Sequence, residues 1–196
     1  MPVSEPVYHV ALVGLPSSGK SEVAQHLQDT GGFTHLSNDI VRGRIFPSEK
    51  SIFDLTWQDW IYLSAAVQAD KHTLLSTGKS VVTDSCPYND DTRRLTLYTS
   101  PFLQERLNVQ GRELRRYLVQ LDVDPEEILR RNVLRNRDDA ESKKYMDWFL
   151  HVWNVVDSYE DAYGPVTVSR YQNNTREDQK VLIASLDEQL KISTRS

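Results

Sequence analysis

The chain of 196 residues falls within the size of one domain, and a chain of that length buries roughly 70% of the surface that it exposes when unfolded. Its composition, 39% hydrophobic and 26% charged, is that of a globular protein, and no apolar run approaches the ~20 residues of a membrane helix. The net charge of -5 argues against coating long nucleic acid by charge alone, although it leaves room for a local basic groove. One cysteine, Cys86, excludes an internal disulfide framework and a cysteine-rich zinc site; the start MPVSEPVYHV lacks a basic-then-apolar secretory pattern, so a cytoplasmic protein is expected.

In chain order, the apolar run Tyr8 to Val13 predicts a strand buried on both faces of a parallel sheet. A glycine loop follows, then a helix with Val23, Ala24 and Leu27 on one face, stopped by Gly31 and Gly32. Phe33 to Leu36 predicts a second strand, and Ser37, Asn38 and Asp39 suit the cap of a new helical turn. Thr56 to Ser76 reads as a long helix with Trp57, Trp60, Ile61, Ser64, Val67 and Lys71 at helical spacing, closed by Gly78. Val81 to Thr83 predicts a third strand ending at Asp84, and Tyr117 to Leu121 a fourth. Pro125 opens an arginine-rich helix reaching Arg137, Ser142 to Tyr163 reads as another amphipathic helix, Val166 to Tyr171 as a fifth strand, and Arg176 to Lys191 as a terminal helix. Such alternation predicts an α/β fold in three layers, a parallel sheet with helices on both faces. No linker or repeat interrupts it, so 1–196 reads as one domain; the segment 136–144, with six charged residues in nine, is a candidate flap.

Gly14-Leu15-Pro16-Ser17-Ser18-Gly19-Lys20-Ser21 satisfies G-x-x-x-x-G-K-S/T without mismatch, between a predicted strand and a predicted helix. Glycines let backbone N–H groups converge on phosphate oxygens, and the helix N-terminus adds partial positive charge. In such a loop Gly14, Pro16, Ser17, Ser18, Gly19, Lys20 and Ser21 line the phosphates of ATP, with Lys20 on the β- and γ-phosphates and the Ser21 hydroxyl on Mg²⁺. Asp84, at a strand end facing the ligand crevice, suits the same metal through water; a cap of the following turn would look the same. Asp39 and Arg42 share a helical face, so the carboxylate could act as general base and the guanidinium could hold an anionic group of the acceptor; an N-cap with a surface ion pair is the plain alternative. Among Arg130, Arg131, Arg135 and Arg137, Arg131 and Arg135 are the first choices for touching the transferred phosphate, against a solvated basic face. Arg93 and Arg94 could line the acceptor side or form a surface pair. The tryptophans 57, 60, 148 and 153 read as packing residues, Cys86 as a small buried residue, and His72 and His151 as helix residues that hold no ligand.

With these residues in view, the chain resembles the P-loop kinase superfamily, an AAA-type ATP-binding domain of the kind found in bacteriophage-type polynucleotide 5′-kinases, and more distantly in zeta-toxin-like, gluconate and adenylate kinases. The likeness runs over about 8–140 and rests on GLPSSGKS, Asp39-Ile-Val-Arg42, Val-Val-Thr-Asp84 with Asn89 and Arg93-Arg94, and DVDPEEILRRNVLRNR. It implies a nucleotide-kinase fold with the loop strand central, Asp39 as general base, Arg42 on the acceptor's phosphate, and a small lid around 130–144. The segment 43–55 has no counterpart in that pattern, and the span from Asp84 to Arg93 is longer; both fall where the acceptor binds. The expected reaction is ATP- and Mg²⁺-dependent phosphoryl transfer to a hydroxyl of a nucleotide or nucleic acid, with a small metabolite, sugar or antibiotic as the alternative acceptor and a non-transferring ATP switch as the third reading.

Overall fold

The computed structural model describes residues 5–46, 54–86, 90–135, 140–152, 160–161 and 164–192. Its centre is a five-stranded parallel sheet formed by β1 (Val7–Gly14), β2 (Thr34–Ser37), β3 (Val81–Ser85), β4 (Leu114–Asp122) and β7 (Thr167–Gln172), in the order β2-β3-β1-β4-β7. The strand leading into the glycine loop is therefore central, flanked by β3 in the register Leu12↔Asp84 and by β4 in the register Leu12↔Val119. All five strands of this sheet run the same way, so their C-terminal ends gather along one edge, where open α/β sheets bind ligands.

Side-chain alternation splits the core into two layers. Val10 and Leu12 of β1, Val82 of β3 and Val119 of β4 pack against Val23, Ala24 and Leu27 of α1 (Lys20–Gly31) and Leu182, Leu186 and Leu190 of α8 (Arg176–Leu190). Each fully buried leucine contributes roughly 1.5–3 kcal/mol relative to exposure. On the opposite face Val7 and Val81 meet α2 (Asn38–Ile45), α3 (Trp57–Ser76) and α5 (Pro101–Val109), while Ala11, Val13 and Leu118 meet Leu97 of α4 (Asp90–Leu97). Beyond the strand ends, α6 (Pro125–Leu134) and α7 (Ala140–Val152) bring Ile128, Met146 and Phe149 together over Leu15 and Val123.

Local chemistry explains the boundaries. Gly32 ends α1 in a left-handed conformation at φ 67°, which a glycine adopts without a Cβ penalty. Capping boxes start α3, through Thr56 and Asp59, and α8, through Thr175 and Asp178.

Three expectations need correction. The helix anticipated from Ser142 to Tyr163 ends, among the described residues, at Val152, and Glu160–Asp161 (β5) pairs antiparallel with Gly164–Pro165 (β6); the Gly-Pro pair is a poor continuation of a helix, and Tyr163 lies outside the described residues. Of the expected α3 stripe, Val67 and Lys71 are buried, together with Leu63 and Leu75, whereas Trp57 and Ile61 are exposed; apolar residues stand on more than one side of this helix, so its period alone does not choose a face. Trp57 is accordingly 76% exposed and Trp148 is also exposed, stacked edge-on against Phe149. Two helices, α4 and α5, stand in a stretch where none was anticipated.

Candidate active site

The loop after β1 is shaped by two glycines. A Cβ at Gly14 would lie 2.6 Å from Ser18 Oγ and 2.8 Å from the Leu121 carbonyl oxygen. Gly19 has φ +94°, and a Cβ there would meet Asn173 Nδ2 at 2.5 Å. Between them Ser17 takes φ 63°, uncommon for a residue with a side chain. Its hydroxyl donates to Asn132 Oδ1 at 2.6 Å, tying the loop to α6. Asn173 donates to the Ser18 carbonyl at 2.6 Å from the segment between β7 and α8, and Arg131 Nη1 donates to the Ser17 carbonyl at 3.3 Å. The carbonyls of Ser17 and Ser18 are thus engaged by the surrounding protein. Pro16 is half-buried within the loop, and Ser17, Ser18 and Gly19 are buried.

Lys20 opens α1 and folds its ammonium back over the loop, donating to the Leu15 carbonyl at 2.8 Å and the Gly14 carbonyl at 3.0 Å. Burial lowers its pKa, opposed by the nearby Cys86 and Asp84. Ser21 Oγ donates to Asp84 Oδ2 at 2.8 Å, joining the first turn of α1 to the end of β3. Burial pushes the Asp84 carboxyl up, but His35, Ser21 and Lys20 together hold it below the usual range, so it is ionised. Two hard oxygens side by side fit magnesium, which needs only one or two protein ligands when it arrives with phosphates. No larger cluster of His, Cys, Asp and Glu able to hold a metal occurs among the described residues.

After β2, Ser37 caps α2 by accepting from the Ile40 N–H at 3.1 Å. Asp39 in the first turn is 73% exposed, and its Oδ1 lies 3.6 Å from Arg42 Nε. The register Ser37↔Asp84 sets Asp39 two residues past the strand position beside Asp84. Arg93 has no exposed surface; it sits in α4 close enough for its charge to act on Cys86. Burial pushes the Cys86 thiol up to about 12, so it is neutral at pH 7.

The arginines divide by their bonds. Arg131 is half-buried and donates to Glu127 at 2.7 Å, the Asn173 carbonyl at 2.6 Å and the Asn174 carbonyl at 3.0 Å, besides Ser17. Arg130 shares Glu127, and the two guanidinium groups hold that carboxyl down at about 2. Arg135 is exposed, donating from Nη2 to Glu22 Oε1 at 2.8 Å across from α6 to α1. Arg137 and the first half of the anticipated flap lie outside the described residues, whereas 140–144 belong to α7.

Sequence reasoning missed Asn132, Asn173, Glu22 and His35. The first two meet the loop across 115 and 155 residues of chain, and no local pattern signals contacts of that range.

A family model described as an AAA domain matches residues 10–152. A search of curated proteins finds no match. Among solved structures, an unliganded sugar kinase from Janibacter sp. HTCC2649 superposes with a TM-score of 0.61 at 17% identity, covering 96% of this chain and 97% of the other. A gluconokinase from Sinorhizobium meliloti 1021 gives 0.58 at 18% identity, over 96% and 98%. The APS kinase CysC of Mycobacterium tuberculosis, in complex with AMPPNP and APS, gives 0.58 at 16% identity, over 96% and 99%. Their shared architecture is that of a P-loop kinase fold.

Proposed function

The chain belongs to the AAA domain family, and from that premise we propose that it is an ATP- and Mg²⁺-dependent kinase whose acceptor is the hydroxyl of a small metabolite. One observation carries the reading: a complete phosphate loop, braced from outside at Ser17 and Ser18, with Lys20 over its mouth and the Ser21–Asp84 oxygen pair beside it. Such an arrangement is costly to build, with Ser17 held left-handed, and it has a use only if an anion is bound there.

In this reading residues 1–196 act as one kinase domain with a lid around 130–144. Lys20 leaves its carbonyl partners for the β- and γ-phosphates, and Ser21 and Asp84 hold the magnesium. When bound, that ion neutralises charge developing on the phosphate oxygens. Asp39 takes the proton of the acceptor hydroxyl, whose oxygen bonds the γ-phosphorus as the bond to the β-bridging oxygen breaks, and ADP leaves with that electron pair. Arg42 steadies Asp39 or an anionic group on the acceptor. Arg135, held among the described residues by an exposed bond to Glu22, is the arginine that swings onto the transferred phosphate, while Arg131 supports the loop.

The small acceptor is favoured by the sugar kinase and gluconokinase among the structural neighbours, by the net charge of -5, and by the burial of Arg93, which removes it from any open basic groove. A nucleic-acid acceptor draws no support from those neighbours. Labelled ATP offered in parallel with a metabolite panel and with oligonucleotides tests the choice: label should appear on a metabolite, and label on oligonucleotides alone would overturn it. Asp39→Asn should lower turnover by roughly 10²–10⁴-fold while ATP affinity is kept. An unchanged rate removes Asp39 from the mechanism.

A further inference from the structure

His35 lies in β2, in register with Val82 of β3, and Val82 belongs to the core layer against α1. Alternation along both strands puts His35 and Asp84 on that same face, two positions apart in the register. His35 Nε2 is buried, 3.3 Å from Asp84 Oδ2, the oxygen that also accepts the Ser21 hydroxyl at 2.8 Å. At that distance the contact falls short of a well-formed hydrogen bond, and among the described residues this nitrogen has no aligned partner. A buried imidazole nitrogen in that condition costs stability, and an apolar side chain in its place would pack against the same layer without that cost. The geometry points to His35 as a positioning residue: its imidazole fixes the Asp84 carboxylate so that it presents its oxygens to the divalent cation beside Ser21.

The inference rests on the proposed kinase reading, in which Asp84 serves the metal. Polar contacts in sites without their ligand are often long or misaligned and tighten when the site is loaded. In the loaded site His35 Nε2 would donate to Asp84 Oδ2, while Asp84 and Ser21 would hold the cation. Groups that orient a ligand in this way change metal affinity more than they change the fold.

The test uses Mn²⁺ as the probe and the full chain with ADP bound, and reads free Mn²⁺ by electron paramagnetic resonance. His35→Leu should weaken Mn²⁺ binding by about tenfold or more, with ADP affinity in EDTA and the melting temperature of the metal-free protein little changed. His35→Gln, which keeps an N–H donor near the same place, should recover most of the loss. Wild-type Mn²⁺ affinity in His35→Leu would overturn the inference, as would a Gln variant as weak as the Leu variant. If the wild-type protein binds ADP but its ADP complex takes up no Mn²⁺, the metal role of Asp84 fails and this inference falls with it; the first two outcomes leave the kinase reading standing.

Discussion

Asn132 on α6 accepts the Ser17 hydroxyl at 2.6 Å, so a residue far along the chain stabilises the one non-glycine, left-handed residue of the phosphate loop. Both partners are buried. Asn132→Ala leaves that hydroxyl without its acceptor and frees Ser17 to relax toward negative φ, which turns loop amides away from the phosphates. Nucleotide affinity should fall by about 1–2 kcal/mol, roughly five- to thirtyfold, with a smaller loss of stability. Calorimetry with ADP measures the first effect and urea unfolding the second; unchanged ADP affinity would show that the loop keeps its shape unaided.

Gly19 answers to two constraints at once, a φ of +94° and an Asn173 amide nitrogen 2.5 Å from where a Cβ would stand. Gly19→Ala should therefore be harmful twice over. The strained backbone alone costs roughly 1–2 kcal/mol. Removing the obstacle with Asn173→Ala in the same chain relieves only the contact, and it also removes the bond to the Ser18 carbonyl. The double variant should bind ADP no better than Gly19→Ala, and full recovery would mean that backbone conformation matters less than crowding.

The two first-choice arginines should behave differently when truncated. Arg131→Met breaks bonds to Glu127 and to the carbonyls of Ser17, Asn173 and Asn174, three of which tie separate segments together. Its melting temperature and ATP affinity should both drop. Arg135→Met loses one exposed ion pair with Glu22, and exposed pairs contribute about 0–1 kcal/mol, so stability should hardly move. Its turnover should nonetheless fall by roughly 10²–10³-fold, the range for losing one charge-stabilising donor. Equal effects on turnover and stability in the two variants would contradict this division.

What the sequence made legible was what depends on neighbours along the chain. The phosphate loop is one contiguous motif between a strand and a helix, and Asp84 announces itself by ending an apolar strand. The parallel sheet with β1 at its centre follows from the alternation of elements. What stayed hidden depends on the folded arrangement: Asn173 reaches Ser18 because β7 sits beside β4, and His35 reaches Asp84 because β2 sits beside β3. The face of α3 was misread for a related reason. Its turn-by-turn pattern offers apolar residues on several sides, and only packing against α2, α5 and the sheet selects Leu63, Val67 and Leu75. Lys71, which shares the sequence stripe with Val67, is buried with it.

Lys71 gives the fold a pH dependence whose sign can be worked out. Its ammonium donates to the carbonyls of Thr96 at 2.8 Å and Tyr98 at 2.7 Å, yet burial, helped by Arg116, lowers its pKa to about 7 from 10.5. His9, His72 and Arg116 face the same region, and both histidines are lowered as well, by burial first and then by these cations. Between pH 7 and 10.5 the unfolded chain keeps the Lys71 proton while the folded one releases it. The unfolded state binds more protons there, so stability rises with pH by up to ~1.4 kcal/mol per unit. The penalty is complete below pH 7 and vanishes above 10.5. Lys71→Gln retains a donor for the two carbonyls but has no proton to lose. Urea midpoints followed from about pH 8 to about pH 9.5 should climb in the wild type and climb less steeply in the variant, where Lys20, also lowered by burial, still contributes. The same climb in both would assign the effect to another group; His9 and His72, at 6.5 in the unfolded chain and lower in the folded one, add slope of the same sign only below roughly pH 8.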